Sequence, residues 1–432
     1  MRSLAVEGGR TLSGEVRTSG SKNAALPIMA AALMTREPCV IRNVPRLADV
    51  DNALAILAAL GVTVTRDEDT VGLEALADPS SEVPEGLARK MRASILFMGP
   101  LLARTGRAVV PKPGGDDIGM RRVEQHVYGL LQLGAKIEEN GHSFVCTADR
   151  LVGAEINLDM PTVTGTENLL MAASCAEGRT TILNAAREPH VADLATALSS
   201  MGAEIRGIGT DRIEVDGVVR LGGIDHAVTP DYLEAGTYAI AGAAAGGDIY
   251  ITDAPVADLR PLVLKLRHAG VDVEVGETWI RVRREGEIRP VDLITWTHPG
   301  FATDLQPQYT AFMTQANGAA VIQEFLFENR FSYVPELVSM GARIELAGHG
   351  RSIHVFGPSK LRAAVVTVPD IRSGAALLIA ALCATGTSVL HGLDHLERGY
   401  EDLTGKLARL GSQVEEVRQE DPLGTAQASA TE

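Results

Sequence analysis

A chain of 432 residues exceeds what one ordinary hydrophobic core serves and predicts two domains of roughly 200 residues each. Its formal charge of −15 excludes a broadly basic nucleic-acid-binding surface, and no apolar run reaches the roughly 18 residues that span a bilayer. Aromatics make up only 4% of the chain and glycines number 44, so the cores are expected to be Ala, Val, Leu and Ile packed through close backbone approaches.

The start, MRSLAVEGGRTLSGEV, lacks the continuous apolar stretch of a secretory signal, which predicts a cytoplasmic protein. Small-residue apolar helices are predicted over 21–35, 91–105, 166–177, 233–245, 306–317 and 371–385. A Gly usually ends each one, and a short strand follows, as in TTIL after Gly178, DIYI after Gly247 and TSVL after Gly386. An amphipathic helix comes next; in VADLATALSSMG, Leu194 and Leu198 lie on one face. It closes at a Gly before an alternating strand, in ALGVTV, QLGAKIE, SMGAEIR, HAGVDVEV, SMGARIE and RLGSQVEEV. Those glycines, Gly61, Gly134, Gly202, Gly270, Gly341 and Gly411, are spaced 73, 68, 68, 71 and 70 residues apart. Such a period marks six copies of one helix–strand–helix–strand unit, grouped as two α/β domains of three units. An extended solenoid is the alternative, and it would need only nearest-neighbour packing with atypical ends. The polar stretch 419–432 is expected to be a disordered tail. Cys39, Cys146, Cys175 and Cys383 have no metal-ligand or CxxC spacing and read as small buried residues.

Four places interrupt this apolar pattern with charge. In SGSKNAALPIMAA, Lys22 and Asn23 open a helix, where the dipole favours anions. A cation there makes sense beside a bound phosphate, or else is an exposed side chain near a cap. In KPGGDDIGMRRVEQH, a Pro-Gly-Gly turn leads into dense charge, as in catalytic lids and also in solvated loops. In THPGFATDLQPQ, Asp304 precedes a helix, where an N-cap is the routine reading. Arg330 in FENRF, Arg372 in PDIRSGAA and Arg398 in ERGYEDL are read as equivalent repeat positions suited to carboxylate or phosphate.

Together, SGSKNAALPI, RASILFMGPL, NAAREPHVADL, GFATDLQPQ, FENRFSYVPEL and ERGYEDL resemble the UDP-N-acetylglucosamine 1-carboxyvinyltransferases, in order and spacing, to about Val417. The resemblance implies a fold of two similar inside-out α/β barrels, each of three units (EPSP synthase-like). It places one domain at 22–229, carrying the catalytic loop, and the other at 1–21 plus 230–418. It implies transfer of the enolpyruvyl group of phosphoenolpyruvate to the 3'-hydroxyl of UDP-N-acetylglucosamine, with release of phosphate, as the first committed step of peptidoglycan synthesis. No cofactor and no metal are implied, and the oligomeric state stays open. By resemblance, Lys22, Arg121 and Arg398 hold the donor's phosphate and carboxylate, with Arg330 and Arg372 nearby. Asn23 and Asp304 face the acceptor hydroxyl, Asp304 as general base. Arg92, Arg121, Arg122, Val123, Glu124, Gln125, His126, Thr162, Val163 and Leu326 match positions that contact the UDP-sugar.

The sequence departs from the family at several of these positions. Asp116, followed by Asp117, stands where many members have Cys, and is the expected proton donor to the donor's methylene carbon. A free carboxyl is ionised at neutral pH, so the loop must favour the protonated form; the Asp117 charge and closure over substrate would do so, and Arg121 would oppose it. RRVEQH replaces a pattern closer to RPVDLH, Met160 occupies a position often held by Lys, and Thr164 one often held by Gly. A different nucleotide acceptor, or a catalytically inactive regulatory paralogue, therefore remains an alternative. Fosfomycin inactivates Cys-type members by alkylating the thiolate, and a carboxylate is a far poorer nucleophile. Resistance is expected: no time-dependent loss of activity under fosfomycin, and no adduct mass on the 112–126 peptide.

Overall fold

The computed structural model describes residues 2–418; the expected tail, 419–432, lies outside them. Each repeat contributes most of one sheet, five of four strands and one of three among the described residues. One unit shows the pattern. The strand Arg179–Leu183 pairs parallel with Glu155–Asn157 and antiparallel with Arg212–Asp216, which pairs antiparallel with Glu204–Arg206. Its alternation buries Thr180 and Ile182.

The chain's beginning completes sheets at its far end. Arg2–Glu7 lies antiparallel between Thr387–His391 and Gln413–Arg418, and Leu12–Arg17 runs parallel to Gly247–Thr252. Conversely, Ile224–Ala227 pairs parallel with Cys39–Arg42. Two buried cores result. One gathers residues from Ala24 to Val228, the other gathers Leu4 to Val16 with Tyr232 to Leu410. The chain crosses between them twice, where Gly20 bridges Pro230 and Asp231 N–H donates to Ser19 O at 2.8 Å. Beneath this crossing the buried Lys406 ammonium meets Glu234 and Ser19, both at 2.6 Å.

The Ala-rich helices are buried on nearly every face, as helices without a polar stripe must be. The second-core trio, Tyr232–Ala245, Gln306–Met313 and Ile371–Cys383, pack on one another. Asp231 and Asp370 cap the first and last by accepting two backbone N–H bonds each.

Some boundaries differ from expectation. The helix expected over 166–177 runs Val163–Ala173, because Thr162 caps it by accepting from Gly165 N–H and Glu177 leaves to bridge Val152. The single helix expected over 91–105 is a 3-10 stretch Arg92–Phe97 followed by Met98–Thr105. Ser94 Oγ ties that stretch to Ala88 O and Met91 O, and Pro100 has no N–H to extend an α-helical ladder back into it. The helix before Asn317 ends at Met313, since Asn317 N–H donates to Ile288 O. All four cysteines are free and at least half-buried, and burial pushes the Cys39 thiol up to about 11 and Cys146 to about 12.

The six repeat glycines all adopt the left-handed conformation, with φ between +84° and +105°. A Cβ at Gly61 or Gly202 would meet nothing within 4 Å, so their requirement is conformational rather than steric. Gly61→Ala and Gly202→Ala should each lower stability by about 1–2 kcal/mol in urea melts.

A buried histidine pins the first core. Asn168 accepts from Gly99 N–H and donates to Ile95 O and to His126 Nδ1, at 2.8, 2.9 and 2.8 Å. With its amide so oriented, His126 carries its proton on Nε2 and donates to Thr164 Oγ1 at 3.1 Å. Burial, helped by Arg92, pushes His126 down from 6.5 to about 3. Below pH 6.5 the unfolded chain therefore takes up a proton that the native chain refuses, and this residue's stability contribution falls with acidification. Comparison of wild type with His126→Asn in denaturant melts should show the difference shrinking by about 2 kcal/mol between pH 7 and pH 5.

Candidate functional site

Lys22 begins the helix Lys22–Ala31 and is buried, with its ammonium 3.1 Å from Asp49 Oδ2. Asp49 Oδ1 accepts from Arg398 Nε at 2.9 Å, and Arg398 Nη1 donates to Asp116 Oδ1 at 2.6 Å. This row joins residues from both ends of the chain to the loop after the strand Arg107–Pro111. Burial works against the Asp49 carboxylate, but Lys22 and Arg398 outweigh it and hold it below the usual range.

A second arginine clamp stands beside it. Asp304 receives Arg330 Nη2 at 2.7 Å on one oxygen and Arg372 Nε at 3.0 Å on the other. Arg330 also donates to Thr303 O, and Arg372 lies over the Tyr400 ring and donates to its hydroxyl. Burial disfavours an ionised Asp304, yet Arg372, Arg330 and Lys22 overcome it and hold the carboxyl far below its ordinary range. The expected N-cap role is thus not what Asp304 does: it sits inside the 3-10 turn Thr303–Leu305 with its side chain on the arginines. Buried Glu324 supports this turn by accepting from Thr303 Oγ1 and from the Leu326 and Phe327 N–H groups.

The loop between Pro111 and Glu124 reaches both clamps. Gly115, at φ +100°, packs so closely that a Cβ would lie 2.8 Å from Arg121 Nη2 and 3.0 Å from Arg92 N. Beyond it, Asn329 takes the Asp117 and Ile118 carbonyls, which holds the loop against the FENRF segment. Arg121 makes no side-chain hydrogen bond among the described residues. Burial lowers its pKa, while Asp116 and Asp304 act to raise it and Arg330 and Arg398 to lower it. Arg92 is likewise unbonded, and burial with the Arg121 charge lowers it to about 10. Two half-buried guanidinium groups without hydrogen-bond partners among the described residues are suited to an anion of several charges.

Lys22, Arg121, Arg330, Arg372, Arg398, Asp116 and Asp304 therefore form one constellation, with the half-buried Asn23 next to Lys22. The residues expected on the sugar-nucleotide side are more dispersed. Val123 and Val163 pack on the first core, and Gln125 exchanges two bonds with Asp159. Arg122 and Glu124 are exposed, Thr162 caps its helix, and Leu326 is half-buried with its backbone held by Glu324. The side chain of His126 is turned inward and fully bonded to Asn168 and Thr164, so it orders the helices instead of offering a ring to a ligand. The three arginines are not equivalent in the repeat: Arg330 and Arg398 precede amphipathic helices, whereas Arg372 lies in the first turn of the helix Ile371–Cys383. No group of three or more His, Cys, Asp and Glu able to hold a metal occurs among the described residues.

Asp49 and Tyr400 were not legible as site residues. An acid in the first turn of a helix is an ordinary dipole-matched choice. The available signal was position: Asp49 lies one turn before Ala53 on the buried stripe of Ala48–Ala59, whereas Asp51 is exposed.

The family model described as EPSP synthase (3-phosphoshikimate 1-carboxyvinyltransferase) matches residues 6–407. A UDP-N-acetylglucosamine 1-carboxyvinyltransferase of Sorangium cellulosum is 48% identical over 423 residues, covering 98% of this chain and all of the relative. The protein of that name from Solibacter usitatus is 47% identical, covering 96% and 100%. Among solved structures, the enolpyruvyl transferase NikO from Streptomyces tendae superposes with a TM-score of 0.86 at 27% identity, covering 96% of this chain and 98% of that one. EPSP synthase from Acinetobacter baumannii shares the fold, with a TM-score of 0.75 at 16% identity over 97% and 100%. The chain belongs to the EPSP synthase family of α/β enolpyruvyl transferases, together with the UDP-N-acetylglucosamine 1-carboxyvinyltransferases.

Proposed function

We propose that the protein transfers the enolpyruvyl group of phosphoenolpyruvate to the 3'-hydroxyl of UDP-N-acetylglucosamine and releases phosphate. The observation that carries this reading is a pair of carboxylates, Asp304 and Asp116, each held on arginine within one cluster of cations. Addition to the double bond of an enol phosphate needs a base at the attacking hydroxyl and an acid at the methylene carbon. Asp304 takes the hydroxyl proton as the sugar oxygen bonds to the central carbon, and Asp116 delivers a proton to the methylene. The resulting tetrahedral adduct then loses a methyl proton and the phosphate, restoring the double bond on the product. Lys22, Arg121 and Arg398 balance the phosphate as ligand and as leaving group.

The ion pairs define what substrates must change. Asp116 is on Arg398, so a donor phosphate arriving there displaces it toward the methylene. Asp304 is a weak base while both arginines hold it; an anion beside Arg372 weakens that hold and raises its proton affinity. Asn23 orients the acceptor, and Arg92, the segment 121–126, Thr162, Val163 and Leu326 border the nucleotide, His126 by positioning its neighbours.

We infer two domains, 22–229 and 1–21 plus 230–418, each an inside-out barrel of three units. The two separate cores and the sheets completed by the chain's first strands support that division. A cytoplasmic place in peptidoglycan synthesis accords with the relatives' names, and no helix among the described residues is long and apolar enough to cross a membrane. Met160, 52% exposed where a Lys is often found, and Arg122, exposed and without a partner among the described residues, favour a second reading, a different nucleotide acceptor.

Phosphate release should occur with UDP-N-acetylglucosamine, together with the enolpyruvyl product mass, and not with UDP-glucose, UMP or shikimate 3-phosphate. Release with UMP alone would assign the second reading, and the absence of release with every one of these acceptors would leave only a binding protein. Asp304→Asn and Asp116→Asn should each lower kcat by about 10²- to 10⁴-fold; Asp116→Asn should leave the melting temperature unchanged, whereas Asp304→Asn, which uncovers two buried arginines, should also lower it. Full activity in Asp116→Asn with loss in Asp117→Asn would move the acid by one residue.

A further inference from the structure

Among the described residues Asp49 is the one carboxylate that hydrogen-bonds both Lys22 and Arg398, one on each oxygen, at 3.1 and 2.9 Å. It is 6% exposed, in the first turn of the helix Ala48–Ala59, whereas Arg398 lies 349 positions further along the chain. Both cations keep donors in reserve. The ammonium has three N–H bonds and gives one here, and Arg398 uses Nε and Nη1 but leaves Nη2 unbonded among the described residues. Arg398's two acidic partners differ in their anchorage. Asp116 comes from a loop and engages the guanidinium tip; Asp49 comes from a buried helix and engages Nε, the base of the fork.

We propose that Asp49 is a positioning residue for the donor site, a shared counter-ion that sets the separation of the Lys22 ammonium and the Arg398 guanidinium so that both address one phosphate. The donor's identity as phosphoenolpyruvate rests on the function proposed above. An arriving anion displaces the loop carboxylate and leaves the helix carboxylate in place. Without Asp49, two like charges held out of water repel one another across a site that still surrounds them with protein. They splay, and the phosphate finds one partner where it needs two. Simple charge counting predicts the opposite, because removing an acid from an anion site should tighten anion binding.

The full-length Asp49→Asn variant separates the two. The side chain keeps its shape and an acceptor for Arg398 but loses its charge toward Lys22. The KM for phosphoenolpyruvate should rise about 10- to 100-fold, the scale on which misplacement by about 1 Å acts, while the KM for UDP-N-acetylglucosamine stays within about twofold. Calorimetric titration with phosphoenolpyruvate alone, and with inorganic phosphate, should weaken in parallel. Unchanged or tighter donor binding would overturn the proposal, and so would an equal rise in both KM values with a lowered melting temperature. Should Asp49→Asn fail to fold, Asp49→Glu retains the charge but moves it by a methylene, and a wild-type donor KM in that variant would also overturn it. Calorimetry with phosphoenolpyruvate decides the matter even if UDP-N-acetylglucosamine is not the acceptor, so failure of the functional reading remains distinguishable from failure of this one.

Discussion

Four cations lie largely out of water in the site, and each persists there because a carboxylate stands against it. Lys22 is on Asp49, Arg398 is on Asp49 and Asp116, and Arg330 and Arg372 are both on Asp304. A buried charge without a partner costs far more than the fold could tolerate, so this alternation is a condition of the structure as well as of its chemistry. It also explains the placement of the Ala-rich helices. Lys22, Arg92, Asp304 and Arg372 all sit at or just before the start of such a helix or its leading 3-10 turn. A helix without a polar stripe can be buried along its length, and its start then offers unsatisfied N–H groups to an anion.

The same alternation makes the site responsive. Asp116 and Asp304 are matched to arginines that an anionic donor would also seek, so under the proposed function donor binding and readiness of the acid and base would be linked through shared partners. Arg92 and Arg121 have no such partner among the described residues, which leaves positive charge free where a sugar nucleotide or a phosphate is expected. An overall charge of −15 is compatible with this, because local charge is what a ligand meets.

Several residues with polar side chains near the site serve the scaffold. His126 looked like a ligand contact in a charged loop, but Asn168 and Thr164 consume both ring nitrogens. Gln125 ties its helix to Asp159, and Glu324 caps the turn that presents Leu326. Their work is to keep backbone segments from distant repeats in register, which is why truncating them should disturb geometry as much as contact.

The sequence by itself determined the repeat, the helix and strand order within it, and the residue types needed for anion binding and proton transfer. These are local properties: periodicity, a left-handed glycine after each amphipathic helix, and a Lys where the dipole wants an anion. Lys22, Asp304, Arg330, Arg372 and Arg398 were legible because a charge interrupts an apolar pattern. Only the tertiary structure decided which charge meets which. Asp49 looked like a routine first-turn acid, and nothing near it in sequence announces Arg398. Asp304 looked like a cap, and its arginines come from further along its own repeat unit and from the next one. Pairings of this kind depend on how strands from the chain's two ends close the sheets. That closure is a non-local balance of burial and hydrogen bonding, which no window of neighbouring residues encodes.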